Sequence, residues 1–167
     1  GVDIITRTEL EAATSDIYRP NQNTSLAMVL GPDEIKVELI ENALQPEPIV
    51  NHHIHFYGPD VPGIKAWYVK MFEAEPGMRG SFQAADVPGV NLTFSSSEQP
   101  VVGTQGRVLD HIGFEIKNLE AFCKKLEGMG VKFDRPFQRI DSLNLSIAFF
   151  TDPWGTYIEL TEGLDAM

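Results

Sequence analysis

The sequence is poor in the residues that build several common kinds of functional site. Its single cysteine, Cys123, excludes an internal disulfide framework and a zinc cluster held by thiolates. Lysine and arginine number 13 against 24 aspartates and glutamates, and the net charge of −11 argues against a nucleic-acid partner, which needs clustered basic side chains. No apolar run approaches the roughly 18 residues that a membrane span requires, so no membrane partner is expected.

What remains is the composition of a soluble globular protein. The chain has 167 residues, of which 43% are apolar and 22% charged, enough for one compact domain with an appendage. A lone cysteine fits a reducing compartment, and we expect a cytoplasmic location. Residue 1 is glycine, so we also expect that the chain has been trimmed or belongs to something longer, in which case a targeting segment would be missing.

The chain repeats part of itself. Residues 25–42 match residues 146–163 after a shift of 121 positions, and each segment reads as an apolar strand, a turn with proline and a strand with glutamate. The identical pairs are Ser25/Ser146, Ala27/Ala148, Pro32/Pro153, Glu38/Glu159, Leu39/Leu160 and Glu41/Glu162. Gly1-Val2 echoes Gly130-Val131 just before these strands. The repeat predicts the same strand–turn–strand structure in both places.

A second repeat aligns two histidines. Residues 51–57 (NHHIHFY) resemble residues 109–115 (LDHIGFE), which places His53 opposite His111. An amphipathic helix is predicted after each segment, because apolar residues recur at helical spacing. These residues are Ile64, Trp67, Tyr68, Met71 and Phe72 in the first helix and Leu119, Phe122, Cys123 and Leu126 in the second. Asp60 and Asn118 are the predicted N-caps.

Short alternating strands follow each predicted helix. Residues 49–105 and 106–167 are therefore each predicted to form a strand–helix–strand–strand–strand (βαβββ) unit. Residues 1–48 contain only the last three strands of such a unit, followed by a linker with two prolines. We predict an α+β fold in which this orphan three-strand half-unit precedes one functional domain, residues 49–167, built from the two complete units.

Polar side chains share a face on matched strands of the two units, because residues two apart in a strand point the same way. These side chains are His53, His55 and Tyr57 on the first strand, His111 and Glu115 on its equivalent, and Tyr157 and Glu159 on the last strand. Two imidazoles and one carboxylate with open positions can hold iron, manganese, zinc, nickel or cobalt. We predict His53, His111 and Glu159 as the ligands of one divalent metal ion.

Three segments of the second half also resemble a known family. They are Asp110–Ile116 (DHIGFEI), Asn118–Gly130 (NLEAFCKKLEGMG) and Phe150–Leu160 (FTDPWGTYIEL). They are similar to the vicinal oxygen chelate superfamily, which includes glyoxalase I, bleomycin-resistance proteins and extradiol ring-cleaving dioxygenases, over residues 51–163. The resemblance implies that the paired βαβββ units form an eight-stranded half-open barrel around a metal, with ligand positions at His53, Thr93, His111 and Glu159.

The chain departs from its apparent relatives at named positions. Thr93 stands where glyoxalase-like members have glutamate, glutamine or histidine, and threonine is a poor ligand for a divalent metal. The ring-cleaving dioxygenases have a tyrosine where this chain has Phe149, and a histidine around residues 140–142, where this chain has none. The three-ligand set is similar to theirs, whereas the absent histidine argues against their usual acid–base chemistry.

The resemblance implies a metal-dependent enzyme that acts on a small substrate with neighbouring oxygens. We weigh dioxygenase against lyase or isomerase chemistry with a slight lean to ring-cleaving dioxygenase, and predict Glu115, His55 and Tyr57 as the proton-transfer residues. The alternative is a metal-free protein that sequesters a small molecule, as bleomycin-resistance proteins do. Its aromatic pocket would use Trp67, Tyr68, Phe149 and Trp154.

The orphan half-unit predicts a pairing partner. Three strands without their first strand and helix would leave a sheet edge and an apolar face uncovered. We expect either a homodimer, in which a second chain covers them, or pairing with another chain or a segment missing from this one.

Overall fold

The computed structural model describes residues 3–5, 17–31 and 35–164, the first of these ranges by its backbone alone. The chain forms two compact units, an N-terminal unit of residues 1–50 with 107–109 and a C-terminal unit of residues 51–106 with 110–167. The sequence echo at Gly1-Val2 and the turn residue Pro32 lie outside the described residues. Within the described ranges, no helix is long and apolar enough to cross a membrane.

The N-terminal unit is an antiparallel sheet. Its strands are β1 (Asp3–Ile5), β2 (Tyr18–Asn21), β3 (Thr24–Leu30) and β4 (Lys36–Asn42). β3 pairs with β1 near its end, with β2 near its start and with β4 along its whole length. The strands β3 and β4 are those that the sequence repeat predicts.

The C-terminal unit contains two βαβββ modules. The first consists of β5 (His53–Gly58), α1 (Val61–Phe72), β6 (Glu75–Arg79), β7 (Phe82–Val87) and β8 (Val90–Ser96). The second consists of β9 (Ile112–Glu115), α2 (Leu119–Gly128), β10 (Phe133–Ile140), β11 (Leu145–Thr151) and β12 (Tyr157–Glu162). The strands form two four-stranded sheets, in the orders β5-β8-β7-β6 and β10-β11-β12-β9. The predicted α+β class and the βαβββ order are confirmed.

The register of the strands reproduces the sequence repeat. Met28 pairs with Glu38 in the β3–β4 hairpin, and Phe149 pairs with Glu159 in the β11–β12 hairpin. Both pairs are related by the shift of 121 residues. The two hairpins therefore share their pairing as well as their sequence.

One apolar core joins both modules. It contains Ile64 and Tyr68 of α1, Leu119 and Leu126 of α2, and inward-facing residues of both sheets, among them Leu92, Phe94, Phe150, Ile158 and Leu160. The helices thus cover one face of each sheet, and the predicted apolar stripes are core residues. The histidine-bearing positions of β5 and β9 alternate with core residues, so they lie on the opposite face.

The two predicted helix caps differ in outcome. Asp60 is the N-cap of α1, and its Oδ1 accepts a hydrogen bond of 3.0 Å from the Gly63 amide. Asn118 is the N-cap residue of α2, as predicted, but its backbone is left-handed (φ 58°) and its side chain makes no capping bond. Glu162 of β12 takes that role, because its two oxygens accept hydrogen bonds from the amides of Asn118 (2.9 Å) and Leu119 (3.1 Å).

Candidate metal centre

Two of the three predicted ligands meet on the open face of the second sheet. β9 and β12 are parallel neighbours, and Glu159 lies opposite Gly113, two residues after His111. Gly113 has no side chain, and a Cβ there would lie 3.8 Å from Glu159 Oε2. His111 Nε2 is 3.1 Å from Glu159 Oε2. Both side chains reach solvent, with 39% and 23% of their surfaces exposed.

A second carboxylate lies at the other nitrogen of His111. Asp110 Oδ1 is 2.8 Å from His111 Nδ1, and Asp110 Oδ2 accepts a hydrogen bond of 2.5 Å from the Gly106 amide. The Gly106 hydrogen bond, followed by that of His111, lowers the pKa of the Asp110 carboxyl below its ordinary value. Asp110 is therefore a carboxylate at neutral pH. Because a carboxylate only accepts hydrogen bonds, His111 Nδ1 must donate the proton of this contact.

This arrangement leaves His111 Nε2 directed at a carboxylate. If Nδ1 carries the only ring proton, the lone pair of Nε2 and the lone pairs of Glu159 face each other across 3.1 Å. A positive charge between them relieves the repulsion, either a proton on Nε2 or a cation bound to both atoms. Two ligands each about 2.0–2.2 Å from a metal ion lie about 3 Å apart, so the observed spacing fits a shared ion.

Aromatic rings form one wall of this site. Phe149 and Tyr157 are stacked with their centroids 5.3 Å apart, and the His111 ring stands edge-on to both, at 5.9 and 6.3 Å. Both residues are less than 10% exposed, and the Arg135 guanidinium lies 4.9 Å from the Phe149 centroid. Burial, followed by the charge of Asp134, raises the pKa of Tyr157. Tyr157 is consequently a neutral hydroxyl at physiological pH.

The first module presents a histidine pair on β5. The rings of His53 and His55 are 5.7 Å apart, and His55 stacks on Tyr57 at 4.7 Å. His55 Nε2 is also 2.8 Å from the Ser95 hydroxyl, and His53 Nδ1 is 2.9 Å from His52 Nδ1. The predicted face of His53, His55 and Tyr57 therefore forms a continuous row.

The three predicted ligands do not all converge. In the part of the chain that the structure describes, the ligand atoms of His53, His111 and Glu159 do not all lie within 4.8 Å of one another. His53 opens β5 and His111 immediately precedes β9, and these are the edge strands of their sheets. The structure thus supplies the His111–Glu159 pair directly and His53 at the matching position of the other module.

A sequence model of the Glyoxalase/Bleomycin resistance protein/Dioxygenase superfamily matches residues 69–160, more than half of the chain. The chain belongs to this superfamily. No curated protein sequence matches the chain as a relative.

Solved structures of the superfamily have the same fold at low sequence identity. Lactoylglutathione lyase from Agrobacterium tumefaciens is 15% identical with a TM-score of 0.53, and 71% of this chain covers 96% of that one. A superfamily member from Sphaerobacter thermophilus DSM 20745 is 19% identical with a TM-score of 0.56, with 70% and 98% coverage. The glyoxalase family protein from Enterococcus faecalis is 21% identical with a TM-score of 0.54, with 66% and 95% coverage. Nearly the whole of each neighbour corresponds to about two thirds of this chain.

Thr93 occupies the position in the first module that Glu159 holds in the second. Thr93 pairs with His55 as Glu159 pairs with Gly113, and His55 and Gly113 each lie two residues after an aligned histidine. The Thr93 hydroxyl accepts a hydrogen bond from Arg79 Nε (2.7 Å) and donates one to Asn91 Oδ1 (2.7 Å). This superfamily position is therefore occupied by a hydrogen-bonded hydroxyl in place of a carboxylate.

The predicted proton-transfer residue Glu115 is held by hydrogen bonds. Its Oε2 accepts from the Thr161 hydroxyl at 2.6 Å, and its Oε1 accepts from the Gly163 amide at 2.5 Å. Both partners belong to the end of β12, so these bonds join β9 to β12. Of the three predicted proton-transfer residues, His55 and Tyr57 lie together on β5, and Glu115 lies on β9.

The superfamily motif around Asp152 shapes the turn before β12. The buried Asp152 accepts hydrogen bonds from the amides of Trp154 (2.9 Å) and Thr156 (2.8 Å) and from the Tyr68 hydroxyl (2.8 Å). Gly155 has φ +98°, and a Cβ on it would lie 2.9 Å from Gly103 Cα. The turn thus requires Asp152 and Gly155. The turn also defines where β12, the strand that carries Glu159, begins.

Sequence reasoning missed Asp110 as a member of the site. Its only signal was its place immediately before an aligned histidine. The hydrogen bond from Gly106 depends on the path of the preceding linker, which the sequence pattern does not define.

Proposed function

We propose that the protein is a divalent-metal-dependent vicinal oxygen chelate enzyme acting on a small substrate with neighbouring oxygens. His111 and Glu159 are two of its ligands, and His53 is the third. The observation that carries the proposal is the 3.1 Å approach of His111 Nε2 to Glu159 Oε2, with a carboxylate already at the other nitrogen of the ring. Residues 49–167 are the metal-binding domain in this proposal.

His53 is the third ligand because it repeats the position of His111 in the first module. It lies on the same face of β5 as His55 and at the start of an edge strand, as His111 does. His53 would complete the set of protein ligands. Replacing His53 by alanine should lower metal affinity strongly, and His52→Ala, which removes the hydrogen-bond partner of His53 Nδ1, should lower it less.

A divalent metal held by His53, His111 and Glu159 would supply a Lewis acid for two neighbouring oxygens of the substrate. The chain's own groups do the rest. His55 and Tyr57, stacked on each other, are within reach of the same face as His53 and serve proton transfer. Phe149 and Tyr157 cover one side of the His111 ring. Glu115 acts indirectly, by fixing β9 to β12.

The reaction type is tested by metal and substrate together. The purified protein is stripped, reloaded separately with Fe²⁺, Mn²⁺, Co²⁺, Ni²⁺ or Zn²⁺, and assayed with catechols and with a hemithioacetal. We favour oxygenase chemistry slightly, because two imidazoles and one carboxylate are the ligand set of non-haem iron oxygenases. Cleavage of the catechol ring by the Fe²⁺ form and by no other metal form supports oxygenase chemistry. Turnover of the hemithioacetal by the Ni²⁺ or Zn²⁺ form supports lyase or isomerase chemistry. Absence of turnover with every metal and substrate would contradict the enzymatic proposal.

A metal-free binding protein is the second candidate function. A cavity of about 290 Å³ favours it, because Trp67, Met71, Met129 and Pro153 give it an apolar lining. Of the other predicted pocket residues, Tyr68 and Phe149 are buried, and Trp154 packs against the core shared by the two modules. Binding of an aromatic compound that persists in His111→Ala and in chelator would favour this candidate over the enzyme.

A further strand and helix are proposed to cover the N-terminal half-unit. In the repeat, Val37 and Leu39 correspond to Ile158 and Leu160. The first two are 45% and 53% exposed, whereas the last two are fully buried by the core. Among the described residues β4 pairs with β3 alone, while β12 also has β9 at its other edge.

Sedimentation of the wild type and of Leu39→Asp tests what covers the face of β4 that carries Val37 and Leu39. A wild-type dimer that dissociates in Leu39→Asp identifies a second copy as the partner. If both proteins are monomers, the covering strand and helix come from another chain or segment. Hydrogen exchange is the second measurement, and amides of β4 that exchange as slowly as those of β12 would contradict an uncovered edge. A cytoplasmic location remains part of the proposal.

A further inference from the structure

We infer that Asp110 is a positioning residue that fixes the tautomer and the orientation of His111. This inference rests on the proposed function, because it assigns Asp110 to the metal centre proposed there. Asp110 does not reach Glu159 itself; it acts through the opposite nitrogen of the imidazole ring.

The geometry defines the role of each carboxylate oxygen. Oδ1 receives the Nδ1 proton of His111 at 2.8 Å, and Oδ2 receives the amide proton of Gly106 at 2.5 Å. The carboxylate is thereby held between the ring and the backbone of the preceding linker. With the proton on Nδ1, the ring presents the lone pair of Nε2 to Glu159, which is the form that binds a metal.

The linker that holds Asp110 is itself anchored. The Thr104 amide donates to Gly155 O at 3.0 Å, and the Thr104 hydroxyl accepts from the Tyr157 amide at 2.9 Å. Gly103 and Gly155 are close enough that a Cβ on Gly155 would lie 2.9 Å from Gly103 Cα. The turn of the superfamily motif therefore supports the linker, and the linker supports Asp110 through Gly106.

This arrangement explains why the site can be preformed without a metal. A ring held only by Glu159 would place its proton on Nε2, between the two candidate ligand atoms. Asp110 competes for that proton from the other side, and two hydrogen bonds already orient its carboxylate. His111 is then ready to bind an ion without a change of tautomer.

Two readouts test the inference. In the metal-free protein, ¹⁵N NMR of the His111 side chain should report a proton on Nδ1, either as the only ring proton or together with a second proton on Nε2 that faces Glu159. In Asp110→Ala the ring should lose the Nδ1 proton and carry its proton on Nε2 alone, facing Glu159. Asp110→Asn retains an oxygen for Nδ1–H but cannot also accept from Gly106, so the Gly106 amide resonance should move while the tautomer is retained.

Metal affinity gives the second readout, with Co²⁺ as the probe. Asp110→Ala should weaken binding by roughly 10–100-fold, as loss of a partner to a ligand imidazole generally does, and Asp110→Asn should recover part of that loss. Asp141→Asn is the matched control, because Asp141 is 96% exposed and lies away from His111. Circular dichroism of each variant checks that the fold is retained.

The outcomes separate this inference from the proposed function. If the wild-type protein binds no Co²⁺, the proposed metal centre is contradicted. The His111 tautomer measured in the same protein still tests the positioning role of Asp110. A wild-type ring protonated on Nε2 alone, or a tautomer and affinity unchanged in Asp110→Ala, overturns the positioning role even if the metal binds.

Discussion

Asp152 lies buried at the end of β11, where its carboxylate is enclosed by three hydrogen-bond donors. Two are backbone amides of the following turn and the third is the Tyr68 hydroxyl of α1. The residue thus connects the first module to the second at a point near the strand of Glu159. The hydrogen bonds to the turn and to α1 account for an aspartate at this position.

Removing this carboxylate should destabilise the protein. We expect Asp152→Ala to lower the free energy of unfolding by about 3 kcal/mol, because buried donors lose their acceptor. Asp152→Asn should cost about 1 kcal/mol, since one oxygen still accepts from the turn amides. Urea unfolding measures both, with the exposed Asp141→Asn as control. Equal stability of Asp152→Ala and the wild type would show that the turn does not depend on its carboxylate.

Tyr68 is expected to make the free energy of unfolding depend on pH in the alkaline range. Burial, followed by the charge of Asp152, raises the pKa of Tyr68 well above its ordinary value. A tyrosine that is exposed on unfolding has a pKa of about 10, so the stabilisation from neutral Tyr68 is complete below that pH and declines above it.

We therefore expect the free energy of unfolding to fall as pH rises from about 9 to 11, and Tyr68→Phe to remove this part of the decline. Urea titrations across that range measure it. Tyr57→Phe, at a residue that is 41% exposed, is the control and should keep the wild-type slope. The same slope in Tyr68→Phe would assign the decline to other groups.

At the scale of single residues, the sequence predicted that His111 and Glu159 lie on one face. It did not predict the contacts of Asp110 and Asp152. The histidine and the glutamate stand at matched positions of a repeat and alternate with core residues, so their shared face was predictable. Asp110 and Asp152 take their roles from a linker path and from a helix of the other module. Such contacts between distant segments leave no periodic pattern.

At the scale of elements, helix α2 begins without a capping side chain of its own. Asn118 adopts a left-handed backbone, and Glu162 at the end of β12 accepts hydrogen bonds from the first two amides. The carboxylate also interacts favourably with the positive end of the helix dipole. The sequence predicted a local cap because asparagine is a common N-cap, and it could not show that β12 ends beside α2.

The capping role predicts a measurable cost. Glu162→Gln should lower the free energy of unfolding by about 1 kcal/mol, within the range of lost N-caps. Glu98→Gln is the control, because Glu98 is exposed and lies outside the helices and strands. Thermal unfolding compares the two. A control that loses as much as Glu162→Gln would contradict the specific role of the cap.

The two hairpins of the repeat offer a comparison at matched positions. Leu160 is fully buried and Leu39 is 53% exposed, although both occupy the same place in the same strand pairing. Leu160→Asp should destabilise the protein by about 3 kcal/mol or more, because it buries an unpaired charge. Leu39→Asp should change the stability of the isolated chain by no more than about 0.5 kcal/mol. A large loss in both would mean that the face of β4 is covered within the chain itself.

At the scale of the whole molecule, the C-terminal unit contains two βαβββ modules, and the described part of the N-terminal unit repeats the last hairpin of such a module. The order of these elements was predictable because repeats and strand periodicity survive in the sequence, while the assignment of residues 1–48 as a partial unit stays a prediction. The sequence also predicted that His53 converges with His111 and Glu159, but their ligand atoms do not all lie within 4.8 Å of one another. Their spacing depends on the packing of two sheets with no pairing between them among the described strands, and no sequence pattern defines that packing.

The central claim concerns one ion at His111 and Glu159. The most direct measurement is a crystal structure of the protein soaked with Co²⁺, in which anomalous scattering locates the metal. We predict one ion about 2.0–2.2 Å from both His111 Nε2 and a Glu159 oxygen, with His53 completing the protein ligands. An ion bound elsewhere, or no ion between these two side chains at saturating Co²⁺, would contradict the account.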